Sequence, residues 1–367
     1  MRVERAELIV VDMPLVRPFR TAHGVSSDER KLLVRVDTDL GPGWGECAAM
    51  AEPLYSSEYV DGARHVLMNH VLPRFRSAEL PFDGVAELLA PVQGHRMAKA
   101  GLELAVLDAW GRSCGRSLAE LLGSTAPTVP SGVAVGITDS VEELLDVVGG
   151  YVADGYVRVK LKIEPGADVV PVRAVRERFG PDLMLQVDAN GAYARDGGAS
   201  LGALDPFGLL LIEQPLAEDD LRGHAELART IATPICLDES ITSVATAALA
   251  LDLGACSVIN VKPGRVGGYL EAVRIHDLAV ERGVALWCGG MLETGIGRAA
   301  NIALAAMPGF TLPGDLSASR RYYERDLTAP FELHDGHLTV PTGPGLGVEV
   351  DDEALAAVTV SREEWRA

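Results

Sequence analysis

The sequence predicts an α/β fold, a (β/α) barrel preceded by an α+β unit. Three observations lead there. Lys162, Asp188, Glu213, Asp238 and Lys262 recur at intervals of 26, 25, 25 and 24 residues. Each ends a short apolar run (VRVKLK, LMLQVD, LLLIE, PICLD, SVINVK), and an amphipathic stretch follows each run. Residues 1–125 lack this rhythm and read as strands followed by helices. A repeat this short, with acids at its strand ends, favours closure into a barrel over an open sheet. A G-x-G-x-x-G after a first strand is absent, which removes a dinucleotide reading.

In the first unit, residues 3–12, 31–38 and 44–47 are predicted strands of an antiparallel meander, with a turn at 39–43. RPFRTAHGVSSDER, between the first two, is polar and Gly-punctuated and is expected to be a mobile loop. Helices are predicted over 57–75, 82–90 and 96–122. Over 126–322 strand alternates with helix. A strand at 157–163 is followed by a helix at 168–179, with Val172, Val175 and Phe179 on one face and Gly180 as a stop signal. Further units open at Leu183, Leu209, Pro234, Ser257 and Ala285. After Tyr323 the chain reads as a hairpin, 331–333 and 337–340 joined through Asp335-Gly336. That hairpin is expected to return to the first unit, so 1–125 and 323–367 would form one α+β capping domain beside a 126–322 barrel.

With 367 residues, 48% of them hydrophobic and 23% charged, the chain has the composition of a globular enzyme. Its net charge of −19 argues against a nucleic-acid partner, which needs clustered Lys and Arg, and against an anionic membrane surface. The five cysteines are widely spaced with no C-x-x-C pair, so neither a disulfide framework nor a zinc site is indicated. MRVERAELIVVDMP carries charges inside its apolar stretch, unlike a signal peptide. No apolar run approaches the roughly 18–20 residues of a membrane span. A reduced, cytoplasmic location is expected.

Asp188, Glu213 and Asp238 offer hard oxygen donors without His or Cys, which selects Mg²⁺ or Mn²⁺ over zinc. One acid at a strand end is most simply a helix cap; three in successive units are better read as a metal triad. Asn190 and Glu239 sit beside them, as second supports or as ordinary caps. Lys160 and Lys162, two apart on one strand, face the same side, with Cα atoms about 6.5 Å apart. The like charge of Lys160 is expected to lower the pKa of Lys162 and make it a base. Lys262 ends a strand on the other side of the acids, so a substrate carbon held between them would have an amine on each face. Lys262 could alternatively be a rim lysine paired with an acid. The implied chemistry is removal of the proton α to a carboxylate, followed by racemisation or β-elimination.

K-x-K at Lys160/Lys162, D-x-N at Asp188/Asn190, Glu213, D-E-S from Asp238 to Ser240 and the lysine of NVKPGRVGG resemble the muconate-lactonising-like subgroup of the enolase superfamily. MPLVRPFRTAHG, GWGECAAMAEPLYSSEY, GHRMAKAGLELAVLDAW and GGMLETGIGRAANIALA are similar to the o-succinylbenzoate synthase / N-acylamino acid racemase family. The resemblance spans essentially the whole chain. It implies a modified (β/α)7β TIM-like barrel under an α+β cap, Mg²⁺ on Asp188, Glu213 and Asp238, and Lys162 and Lys262 as the acid–base pair. It implies syn-dehydration to o-succinylbenzoate in menaquinone synthesis, racemisation of N-acylamino acids, or both, and a homo-oligomer. Arg265 resembles a position associated with racemising members. Phe19, Met50 and Tyr55 match the family's specificity loops, with Met291 similarly placed; each could equally be interface packing. Dipeptide epimerases, the main alternative, typically carry D-x-D at the eighth strand, whereas this chain has Gly314-Asp315-Leu316-Ser317.

Overall fold

The computed structural model describes residues 1–21, 24–76, 78–194 and 197–367. The first unit opens with the antiparallel strands β1 (Val3–Thr21), β2 (Gly24–Thr38) and β3 (Gly41–Cys47). Four helices follow, α1 (Val60–Val66), α2 (Gly84–Leu89), α3 (Arg96–Cys114) and α4 (Leu118–Leu122). Helix α3 lies directly on β3. A Cβ on Gly43 would sit 2.1 Å from the Ala105 carbonyl oxygen, and one on Gly45 2.0 Å from that of Gly101, so the contact demands glycine.

Two expectations here need correction. The single helix expected over 96–122 is broken: Gly115 turns left-handed at φ 67°, and Ser117 restarts the chain as a capping box with Glu120. The loop expected between the first two strands is mostly paired ribbon, with Phe19 opposite Ser26 and Arg20 opposite Val25.

Strand β4 (Thr128–Pro130) leads into the barrel. There follow β5 (Gly132–Val135), α5 (Val141–Ala153), β6 (Arg158–Lys162), α6 (Val169–Phe179), β7 (Met184–Asp188) and β8 (Ile212–Glu213). Next come α7 (Leu221–Leu227), β9 (Ile235–Leu237), α8 (Val244–Leu253), β10 (Val258–Val261), α9 (Pro263–Val266), α10 (Tyr269–Glu281), β11 (Ala285–Cys288) and α11 (Gly295–Ala305). The seven strands β5 to β11 form one parallel sheet in sequence order. Their burial on both faces is what helices outside and side chains inside require. The eighth stave is residues 310–315: Asp315 N donates to Cys288 O at 3.0 Å, and Gly132 N to Gly314 O at 2.8 Å. The ring is thereby closed. Beneath its mouth Trp287, Cys236, Leu211 and Val258 form a dry floor.

The tail contributes β12 (His337–Thr339), α12 (Asp352–Val358) and β13 (Thr359–Arg366). The Asp335-Gly336 turn forms, with both residues at positive φ. The strand at 337–339 nevertheless pairs with β4, because the Phe331 carbonyl accepts from Ser319 N instead. It is β13 that returns to the first sheet, antiparallel to β1.

Candidate active site

Parallel strands bring their carboxyl ends to one face, and the side chains there are set by register. Lys162 pairs with Asp188 across β6 and β7, and Asp188 with Glu213 across β7 and β8. Asp238 follows the last residue of β9, and Lys262 follows β10 as the residue before α9. Strands β6 and β10 stand four places apart in a ring of eight staves. Lys162 and Lys262 therefore face each other across the band of carboxylates.

Lys162 Nζ donates to Asp188 Oδ2 at 2.7 Å and to Asn190 Oδ1 at 2.5 Å. Asn190 passes the chain on to Glu239 Oε1 at 2.8 Å. Opposite, Lys262 Nζ donates to Asp238 Oδ2 at 2.7 Å and to the Tyr55 hydroxyl at 3.0 Å. Arg265 lies behind, its guanidinium donating to the Tyr55 hydroxyl and standing 3.3 Å from Asp238 Oδ1. Burial works against the charge on Lys262, but Asp238 and Tyr55 outweigh it and hold the amine well above its ordinary pKa. Asn190 and Gln214, next to the ligand positions, are non-glycine residues with φ of 42° and 38°. Gln214 is braced by its own amide, which accepts from Asp238 N and Ser240 N and donates to Leu216 O.

Lys160 sits among the carboxylates. Its Nζ lies 2.5 Å from Asp315, 2.9 Å from Glu213 and 3.1 Å from Asp188. Burial disfavours its charge, yet these three carboxylates hold its pKa well above the ordinary lysine value. Lys160 ties three strand ends together.

Met50, Tyr55 and Met291 line a cavity with Lys160, Lys162 and Lys262. Glu239 lies in the adjoining groove with Asn190 and Gln214. Phe19 is on β1, and its side chain lies outside what the structure describes. Sequence reading gave no role to four residues that matter. Arg158, wholly buried, reaches Asp315 Oδ1 at 2.7 Å, and Asn260 donates to Glu213 Oε1 at 2.8 Å. Both stand two residues before a named lysine, so strand alternation could have found them. Asp315 ends a stave with no apolar run to mark it, and nothing in the sequence signals Glu29 on the cavity wall.

The donor set suits a hard divalent cation. Asp238 Oδ1 is buried without a hydrogen bond. Glu213 is pushed up to about 8, by burial first and then by Asp188, so negative charge is in local excess. Among the described residues no three Asp, Glu, His or Cys side chains are drawn into a ligand cage. The carboxylates are turned toward the lysines.

Two family models match the chain. Residues 5–123 match the mandelate racemase / muconate lactonizing enzyme N-terminal domain, and residues 143–354 the enolase C-terminal domain-like family. An N-succinylamino acid racemase from Amycolatopsis sp. is 60% identical over 363 residues, 99% of each chain. An o-succinylbenzoate synthase from Geobacillus kaustophilus is 48% identical, covering 98% of this chain and 96% of that one. A solved enolase superfamily member from Listeria innocua superposes with a TM-score of 0.96 at 41% identity, covering 100% of this chain and 99% of that one. With both halves matched and relatives this similar along their full length, the chain is an enzyme of the mandelate racemase / muconate lactonizing enzyme family, within the enolase superfamily.

Proposed function

We propose that this enzyme removes the α-proton of a carboxylate substrate and thereby racemises N-acylamino acids, dehydrates a cyclohexadiene carboxylate to o-succinylbenzoate for menaquinone synthesis, or does both. The observation that carries this is the pair of amines on opposed staves, Lys162 and Lys262, with carboxylates between them. Asp188, Glu213 and Asp238 would hold Mg²⁺ or Mn²⁺, whose charge, when bound, makes the α-hydrogen of a chelated carboxylate acidic.

In racemisation the neutral amine on one face takes the α-proton, and the ammonium on the other delivers one to the opposite face. In syn-dehydration Lys162 takes the α-proton and returns it to the departing hydroxyl as water, while the Lys262 ammonium stabilises carboxylate charge. Asn190 and Asp188 fix the Lys162 amine, and Tyr55 and Asp238 fix that of Lys262, so neither base swings freely. The wall formed by Met50 and Met291 suits an apolar side chain. A cytoplasmic homo-oligomer, with 1–125 and 323–367 as a capping domain over 126–322, belongs to the same proposal.

Proton NMR in D₂O with Mg²⁺, using N-acetyl-L-methionine and N-succinyl-L-phenylglycine with optical rotation followed alongside, tests it. Loss of the α-proton signal together with decaying rotation establishes two-base racemisation. Exchange without loss of rotation leaves one working base and points to the dehydratase alone. No exchange in either tube rejects racemisation, and turnover of the cyclohexadiene acid then decides the rest.

A further inference from the structure

Strand β2 carries two buried charges toward the cavity wall. Glu29 and Lys31 are 3% and 0% exposed and, two residues apart, share one face of the strand. Lys31 Nζ lies 3.0 Å from Glu29 Oε2 and donates to the Met291 carbonyl at 2.8 Å. Both Glu29 and Met291 line the substrate cavity. A wholly buried lysine is expensive in a fold unless its amine is paired and hydrogen-bonded. Burial disfavours its charge, and Glu29 and Glu46 outweigh that effect.

The segment beyond β11 is pinned at its far end by other groups. Glu293 accepts from Met291 N at 2.8 Å and from Asn301 at 2.9 Å, and Glu46 accepts from Thr294 N at 3.1 Å and Gly297 N at 3.0 Å. Between the two anchors Leu292 sits at φ 53°, a strained position for a branched side chain that persists only where its surroundings over-determine it. The Tyr323 hydroxyl holds the Leu292 carbonyl at 2.5 Å, and Lys31 holds the carbonyl one residue earlier.

We propose that Lys31 is a positioning residue, clamping Met291 of the cavity wall to strand β2 and neutralising Glu29 in a cavity that must admit an anion. The second part rests on the proposed acylamino acid substrates; the first does not. Without Lys31, a buried Glu29 carboxylate would face an incoming carboxylate across low-dielectric walls, and the strained turn at Leu292 would lose the anchor on the carbonyl that precedes it.

The test compares wild type, Lys31→Met and the double variant Lys31→Met/Glu29→Gln, each with Mg²⁺. KM and kcat are measured for the N-succinyl and N-acetyl forms of one amino acid, and backbone amide exchange is followed over residues 289–297. For Lys31→Met, KM is expected to rise about tenfold more for the succinyl substrate, which carries one more negative charge. The double variant is expected to lose that difference while keeping faster amide exchange at 291–293. Equal KM changes for the two substrates in Lys31→Met overturn the neutralisation. Unchanged amide exchange in both variants overturns the clamp. If Lys31→Met does not fold, the double variant, which buries no unpaired Glu29, still decides the clamp by amide exchange, and recovery of folding in it supports the neutralisation. If wild type turns over neither substrate, the functional reading fails separately, and amide exchange still decides the clamp.

Discussion

Carboxylates are buried in two regions of this molecule and behave in opposite ways. At the barrel mouth burial raises the pKa of Asp188, Asp238 and Asp315, but nearby cations outweigh it and hold all three below the usual carboxylate range. The cations are Lys162 and Lys160 around Asp188, Lys262 and Arg265 around Asp238, and Lys160 and Arg158 around Asp315. At the seam between cap and barrel Glu46 and Glu103 are equally buried and are each pushed up to about 7. Glu103 accepts backbone hydrogen bonds from Tyr269 and Leu270 at the start of α10, and these together with Arg274 do not offset its burial. Depth does not decide ionisation; the partner does. At the mouth these three carboxylates stay ionised beside their cations, and at the seam carboxyl groups cap helices. Glu213 and Glu239 are exceptions at the mouth, pushed up to about 8 and about 6 by burial first and then by Asp188 and Asp238 respectively.

The largest expected effect comes from breaking the mouth at Lys162. Lys162→Ala is expected to lower α-proton exchange by about 10²- to 10⁴-fold, as loss of a general base does. Exchange NMR at wild-type rates would remove Lys162 from the chemistry. Lys262→Ala should cost racemisation a similar factor while sparing exchange from the face that Lys162 serves. Parallel loss of exchange for both enantiomers, with folding intact, would show that the two amines do not divide the faces. A smaller effect is expected for Asp238→Asn, which should weaken Mn²⁺ binding by at least about tenfold, judged against the loss typical of groups that merely support a ligand. Unchanged affinity by electron paramagnetic resonance would take Asp238 out of the metal site.

A pH effect on stability sharpens the seam side of the comparison. The ordinary Glu pKa of 4.5 is raised to about 7 at Glu103, so the folded state binds a proton more tightly than the unfolded chain. Stability from this group is therefore full below pH 4.5 and falls as pH rises toward 7. The loss is roughly 3 kcal/mol at 1.36 kcal/mol per pKa unit. Glu103→Gln should flatten that part of the pH dependence, read as the difference between urea midpoints at pH 5 and pH 8. An undiminished slope would assign it elsewhere.

The mouth was far more legible in the sequence than the seam. Lys162, Asp188, Glu213, Asp238 and Lys262 each end an apolar strand, and a regular repeat turns linear spacing into a ring of side chains. Arg158 and Asn260 were legible in principle through the two-residue alternation of a strand. Asp315 stood at the expected eighth-strand position, but its ion pairs with Arg158 and Lys160 were not legible. The seam offers no such regularity: Lys31 on β2 meets Met291, 260 residues away, with no periodic signal linking them.

By itself the sequence determined the barrel, the antiparallel first unit and the five residues that face one another across its mouth, because strand and helix periods are local properties of the chain. Only tertiary structure decided which strand the tail would join, that Lys160 would be bound by three carboxylates, and that Glu29 would lie on the cavity wall paired with a buried Lys31. Those outcomes depend on contacts between segments far apart in the chain, where burial and the identity of the nearest charge set the energy and no local pattern carries either.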